Sequence, residues 1–177
     1  MTERPDEVIE LGQATLRRYR EDDLDALVRA VSESEDHLGP WLPWVAGHSR
    51  ESEAEFLARA TQDWDAGTVF NYAIIADGAL AGGCALISRI GPGGLEIGYW
   101  VHRDWTRRGL ATAASAALVE AAFRLPGVDR IEIVHDELNV ASAGVPRKLG
   151  FTKVGRRPLD PPPPAGTGTG VVWRLVR

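Results

Sequence analysis

Tyr99-Trp-Val-His-Arg-Asp-Trp-Thr-Arg-Arg-Gly-Leu-Ala-Thr112 carries the densest signal in this chain. The run Leu95–Val101 predicts a strand, and it leads into a tight turn holding Gly109 and small residues. An Ala-rich helix follows to about Arg124 and is ended by Pro126-Gly127. Free N–H groups at a helix start, with the helix dipole behind them, form an anion site. Gly109 lets the backbone approach a phosphate closely. Arg107 and Arg108 add charge and donors. A plain strand-to-helix turn with solvated arginines has the same spacing, so the segment alone leaves both readings open. It is neither a Gly-Lys-Ser/Thr phosphate loop nor a Gly-x-Gly-x-x-Gly dinucleotide turn, because both patterns are missing.

Strand and helix signals alternate outward from this segment. Upstream, Thr15–Arg18 reads as a short strand. Glu21-Asp22-Asp23 opens a helix with the apolar stripe Leu24, Leu27, Val28 and Val31. His37-Leu-Gly-Pro-Trp-Leu-Pro-Trp44 is an ordered but irregular loop. Ser49 or Ser52 caps a second helix bearing Phe56, Leu57 and Ala60. Val69–Ala76 and Leu80–Ile87 flank the hairpin signal Asp77-Gly78, and Gly91-Pro-Gly-Gly94 turns the chain again. Downstream, Arg130–His135 alternates as a strand, and Ala141–Leu149 reads as a short helix closed by Gly150. Phe151–Val154 starts a strand, Pro161–Gly170 reads as a mobile loop, and Val171–Val176 is the last strand. Residues 1–13 form a frayed lead-in, and residues 14–177 one mixed α/β domain.

Composition excludes several classes. The 177 residues suit one domain, and 44% hydrophobic with 25% charged residues excludes a disordered chain. No apolar run reaches the roughly 18–20 residues of a membrane span; the longest, Ala79–Ile87, is broken by Gly82 and Gly83. The polar, acidic start of the chain does not read as a signal peptide. A net charge of −5, from 25 acidic and 20 basic residues, speaks against a broad nucleic-acid-binding face. Cys84 is the only cysteine, reads as a small buried hydrophobe, and points to a reducing cytoplasm. No Cys/His set has zinc spacing.

Thr106-Arg-Arg-Gly-Leu-Ala111 resembles the pyrophosphate motif of the GNAT superfamily of acyl-CoA-dependent N-acetyltransferases, Gln/Arg-x-x-Gly-x-Gly/Ala. Gly109 and Ala111 match; Thr106 departs at the first position. Asn139-Val-Ala-Ser-Ala-Gly-Val-Pro-Arg-Lys-Leu-Gly-Phe151 resembles the second motif, Asn-x-x-Ser…Lys-x-Gly-Phe. Leu16–Asp23, His37–Trp44 and Glu96-Ile-Gly-Tyr-Trp-Val101 are similar to the RimJ/RimL group of ribosomal-protein-type N-terminal acetyltransferases. The resemblance runs from about residue 14 to the C-terminus. It implies a single-domain GNAT fold: a mixed, mostly antiparallel sheet with a splayed central parallel pair and flanking helices. It implies acetyl-CoA as co-substrate and no metal. Tyr99, Trp100 and Val101 would pair with the pantetheine arm. Amides around Arg107, Arg108, Gly109, Leu110, Ala111 and Thr112 would hold the pyrophosphate. Asn139 would hydrogen-bond the cofactor, and Ser142 would lie near the thioester sulfur.

Acetyl transfer to an amine needs a base for the ammonium proton and donors for an oxyanion. Glu96 is the expected base; the plain alternative is a surface carboxylate or a partner for an arginine. Many family members carry a tyrosine seven residues after the motif asparagine, where this chain has Pro146. That leaves Ser142 as the available acid, although a thiolate leaves readily and a first-turn serine can also serve its own helix. Trp41 and Trp44 either wall the acceptor entrance or belong to the core. Histidine is a residue type that serves as a base, but for His135 a strand-end surface histidine is the preferred reading. His37 and His48 read as structural or solvated, and Lys148-Leu-Gly-Phe151 as mostly fold. The expected acceptor is a protein or peptide N-terminal α-amine. A small-molecule amine is the alternative within the fold, and a non-catalytic acyl-CoA-binding module the alternative outside it. Neither nucleic acid nor membrane is an expected partner, and a homodimer stays open.

Overall fold

Alternating apolar residues build one sheet with a core on each face. The computed structural model describes residues 3–177; Met1 and Thr2, the start of the lead-in, lie outside the described residues. The strands are β1 (Val8–Glu10), β2 (Thr15–Arg18), β3 (Val69–Ala76), β4 (Ala79–Ile87), β5 (Gly94–Val101), β6 (Arg130–Asp136), β7 (Thr152–Pro158) and β8 (Thr169–Val176). Their order across the sheet is β1-β2-β3-β4-β5-β6-β8-β7. All neighbours are antiparallel except β5 and β6, which run parallel and pair only from Gly94↔Arg130 to Glu96↔Glu132. This is the mixed sheet with a splayed central pair that the motifs imply.

The helices are α1 (Leu24–Glu33), α2 (Glu35–Leu38), α3 (Arg50–Ala66), α4 (Leu110–Arg124) and α5 (Val140–Lys148). Leu27, Val31, Leu38 and Leu57 pack with Ala73 and Leu80 in one core. Leu110, Ala114 and Leu118 pack with Tyr72, Ile74, Ile97, Ile131 and Ile133 in the other. Ser49, not Ser52, caps α3: each serine hydroxyl accepts the other's backbone N–H, at 3.0 and 2.9 Å.

Two expectations are corrected. The lead-in is tied down. Val8–Glu10 pairs with β2, and the Tyr72 hydroxyl donates to the Asp6 carbonyl at 2.7 Å. A three-residue strand is too short to show a period. The Pro161–Gly170 loop is also held. The Asp136 carboxylate accepts the N–H groups of Thr167 and Gly168, and Ala165 N–H donates to Pro40 O at 2.9 Å. Burial pushes the Asp136 carboxyl up, but the N–H groups of Leu138, Gly168 and Thr167 outweigh it and hold the group below the usual carboxylate range.

Trp64 fastens α3 to β3. It is 1% exposed and meets Phe70 and Tyr72 edge-on, at 5.2 and 5.1 Å. Trp64→Ala should cost about 3–5 kcal/mol in urea unfolding. A loss under about 1 kcal/mol would show that this seam contributes little.

Candidate active site

The site begins where β5 loses its second neighbour. His102 N–H donates to Ala81 O on the β4 side at 2.8 Å. Strand alternation therefore turns the N–H and C=O of Tyr99 and Val101 to the opposite edge, which β6 leaves unpaired. That edge faces a cleft of about 690 Å³. His37, Leu38, Trp41 and Leu42 line one side, and Asn139, Ser142 and Lys148 another.

One end of the cleft presents the groups that an anion would need. Gly109, the N-cap of α4, is left-handed at φ 74°. Arg107 is left-handed too, at φ 61°, a strained conformation for a residue with a Cβ. Ala113 N–H makes the first backbone bond of α4, to Gly109 O. The preceding amides of Leu110, Ala111 and Thr112 have no helical acceptor, and these residues line the cleft. Arg107 lines it as well. Arg108 does not: its guanidinium lies over the Trp105 ring at 4.5 Å. Of the two arginines read as phosphate donors, the structure brings one to the cleft.

Ser142 sits across the cleft, in the first turn of α5. Asn139 caps that turn, its side-chain oxygen accepting Ser142 N–H at 3.4 Å. That bond uses one of the oxygen's two lone pairs, so the second lone pair and the amide nitrogen of Asn139 are left for a ligand. The Tyr99 hydroxyl lies 2.8 Å from Ser142 Oγ and reaches Ser142 O at 3.2 Å. Pro146 explains the second contact. The ordinary helical donor to the Ser142 carbonyl would be residue 146, and proline has no N–H. Burial pushes the Tyr99 phenol up, which the bond to Ser142 only partly offsets, so it stays protonated. Sequence reasoning gave Tyr99 a backbone role only. The usable signal was a proline four residues after the motif serine.

Glu96 is elsewhere. It points to the face of β5 opposite Tyr99 and does not line the cleft. Its side chain, 5% exposed, is held by Arg89 and by Arg157, the latter at 2.5 Å. Glu132, its partner on β6, takes Arg174 at 2.6 Å. Burial pushes the Glu96 carboxyl up, but hydrogen bonds and charge from Arg89 and Arg157 outweigh it and hold the group below the usual range. A base must reach the proton it removes. With both oxygens engaged by Arg89 and Arg157, Glu96 stands here as an arginine partner, the plain alternative to the expected base.

The other candidates sort by their contacts. His135 is buried: Trp173 N–H donates to its Nε2 at 2.9 Å, and its Nδ1 meets Asp136 O at 2.8 Å. Both ring nitrogens are used, so it is neither a free base nor a surface histidine. His48 is structural, between Glu53 at 2.8 Å and Ser32 at 3.0 Å. Trp41 lines the cleft; Trp44 is 45% exposed and meets Trp100 edge-on at 6.3 Å, so it is not core. Cys84 is buried on β4, and burial pushes its thiol up. Phe151 packs in the core, but Lys148 lines the cleft. Among the described residues, no group of His, Cys, Asp and Glu is placed to hold a metal, and no helix is long and apolar enough to cross a membrane.

Because the folded carboxyl of Glu96 is depressed, its contribution is present above the unfolded carboxylate pKa and is lost as pH falls through the folded value. Glu96→Gln should cost about 1–3 kcal/mol at pH 7, below the range for fully buried pairs because the guanidiniums stay partly in water. Denaturant unfolding at falling pH checks this. The gap to wild type should close below about pH 4, and a constant gap would exclude the ion pairs as its source.

Residues 13–152 match the family model described as an acetyltransferase (GNAT) domain. Over 149 residues the chain is 27% identical to "Putative ribosomal N-acetyltransferase YdaF" of Bacillus subtilis (strain 168), covering 80% of this chain and 79% of that one. RimL, the ribosomal L7/L12 alpha-N-protein acetyltransferase solved with coenzyme A, superposes with a TM-score of 0.88 at 22% identity, over 96% of this chain and 98% of that one. The microcin C7 self immunity acetyltransferase MccE, solved with acetyl-CoA and AMP, gives 0.89 at 17% identity, with 97% of each chain covered. Mycobacterium smegmatis RimJ, solved with CoA-disulfide, gives 0.85 at 24% identity, over 97% and 88%. With the family model spanning most of its length, the chain belongs to the GNAT acetyltransferases.

Proposed function

We propose that this chain transfers the acetyl group of acetyl-CoA to the N-terminal α-amine of a protein or peptide. The observation that carries this is the Tyr99–Ser142 hydroxyl pair facing the unpaired edge of β5. The α4 amides and Arg107 would take the pyrophosphate. The β5 edge would pair with the pantetheine arm and offer an N–H to the oxyanion. The amine nitrogen then attacks the thioester carbon, a C–N bond forms, and the C–S bond breaks with its electrons on sulfur. With the Tyr99 proton turned to Ser142 Oγ rather than to the carbonyl, the Ser142 hydroxyl would give its own proton to that sulfur, while water takes the proton that the new amide nitrogen loses.

The engaged state of Glu96 favours an α-amine. Such an amine has a pKa of about 7.7–8.0, so about a tenth of it is neutral at pH 7 and water can take its proton. An alkylamine near 10.4 is almost wholly protonated there. The names of YdaF and RimL point to ribosomal proteins, and we extend that acceptor class to this chain. The lone buried cysteine suits a reducing compartment, and we place the reaction in the cytoplasm.

Thiol release from acetyl-CoA with a panel of peptides and small amines tests the acceptor: peptides with free N-termini should be the better substrates. Gly109→Glu puts a negative charge and a side chain at a left-handed position, and calorimetry should show acetyl-CoA binding weakened about tenfold or more. Equal affinity would remove the phosphate assignment. Ser142→Ala should lower kcat about 10- to 100-fold with acetyl-CoA affinity kept, and Tyr99→Phe should lower it less. An unchanged kcat in both would take the pair out of the reaction.

A further inference from the structure

We propose that the Tyr19 hydroxyl and the Trp100 indole N–H form an oxygen-binding subsite for the acceptor, which takes the carbonyl of the acceptor's first residue. This rests on the peptide reading above and adds a reason why a plain amine would be a poorer substrate.

The two groups converge over a glycine. Trp100 pairs with Gly83 of β4, and its side chain leaves β5 on the face opposite Tyr99. A Cβ on Gly83 would collide with the Tyr19 hydroxyl and would lie 2.6 Å from Trp100 Nε1. Gly83 thus leaves no room for a side chain, and two polar atoms from separate elements converge where one would stand. Tyr19 is only 6% exposed, with its ring edge-on to Phe56 at 5.3 Å. A tyrosine buried this far ordinarily finds a partner for its hydroxyl. Here neither the hydroxyl nor the indole N–H has one among the described residues. Ser115 Oγ is the only unpartnered side-chain polar atom among them that is fully shut away, so both groups over Gly83 keep an opening.

Their chemistry selects the ligand atom. An indole N–H only donates, and burial pushes the Tyr19 phenol up, so its proton stays in place. Two donors suit an acceptor oxygen and disfavour an ammonium. The position suits the first residue of a peptide. The α4 and α5 side of β5 would hold the cofactor, so the amine approaches from the Trp100 face. Gly83 lies one strand, about 4.8 Å, from β5, so the two groups sit beside the strand whose other edge faces the cleft. Trp44 meets Trp100 edge-on beside them.

Wild type, Tyr19→Phe and Trp100→Phe are compared at saturating acetyl-CoA with a short free-N-terminus peptide and with propylamine, which lacks the carbonyl. Tyr19→Phe should lower kcat/KM for the peptide about five- to tenfold, the loss of about one hydrogen bond. The loss for propylamine should stay under twofold. Trp100→Phe should move the peptide in the same direction. Thermal melts should match wild type for Tyr19→Phe, because its hydroxyl bonds nothing in the protein. Equal losses on both acceptors, or no loss on the peptide, would overturn the subsite while leaving the peptide reading intact. A wild type that acetylates propylamine and ignores the peptide would overturn both.

Discussion

Two carboxylates side by side at the fork between β5 and β6 are the constraint on which the site depends. Glu96 and Glu132 are the last residues the two parallel strands pair, and like charges directly opposite destabilise a sheet. Arg157 lies 2.5 Å from one and 3.9 Å from the other, while Arg89 and Arg174 take the outer sides. The guanidiniums hold the strands together at this point. Beyond it β6 follows β8, β5 follows β4, and the inner edge of β5 is left without a partner. An unpaired edge deep in a sheet is costly unless something pairs with it. In the function proposed above, the extended pantetheine arm would pair with it.

β5 then serves three surfaces at once. Its free edge presents backbone groups to the cleft. One face carries Tyr99 to Ser142, and the other carries Trp100 over Gly83 toward Tyr19 and Trp44. The period of two makes this division: neighbouring residues point to opposite sides, so the proposed cofactor chemistry and the proposed acceptor recognition would be separated by one position. The same strand runs through His102 into the left-handed Arg107 and Gly109, which aim the first amides of α4. Most of the site is therefore positioned by one strand that β4 pins along most of its length.

What could be read from the sequence was local. The Asp77-Gly78 hairpin, the serine cap at α3 and the Gly109 turn each depend on residues within a few positions, and each stands where its pattern puts it. What could not be read was set by distant partners. Glu96 resembles a base in sequence because its neighbours on β5 say nothing of Arg157, 61 residues later. The Pro161–Gly170 segment has a flexible composition, but its amides bond to Asp136, 31 and 32 residues before them. The Tyr99 hydroxyl gained its role from a contact 43 residues away.

Pro146 links these threads. The family pattern implied by the motifs puts a tyrosine there, on α5, so its loss looked like the loss of a donor. In this chain the proline removes the helical bond to the Ser142 carbonyl, and Tyr99 supplies a hydroxyl to that same residue. The phenol is thus mounted on the strand rather than on the helix. α5 has nine residues and a proline inside it, whereas β5 is paired with β4 from Glu96 to Val101. In the proposed reaction, a hydroxyl that would hold Ser142 in one orientation is better fixed by the strand, because the laddered backbone leaves Tyr99 fewer ways to move.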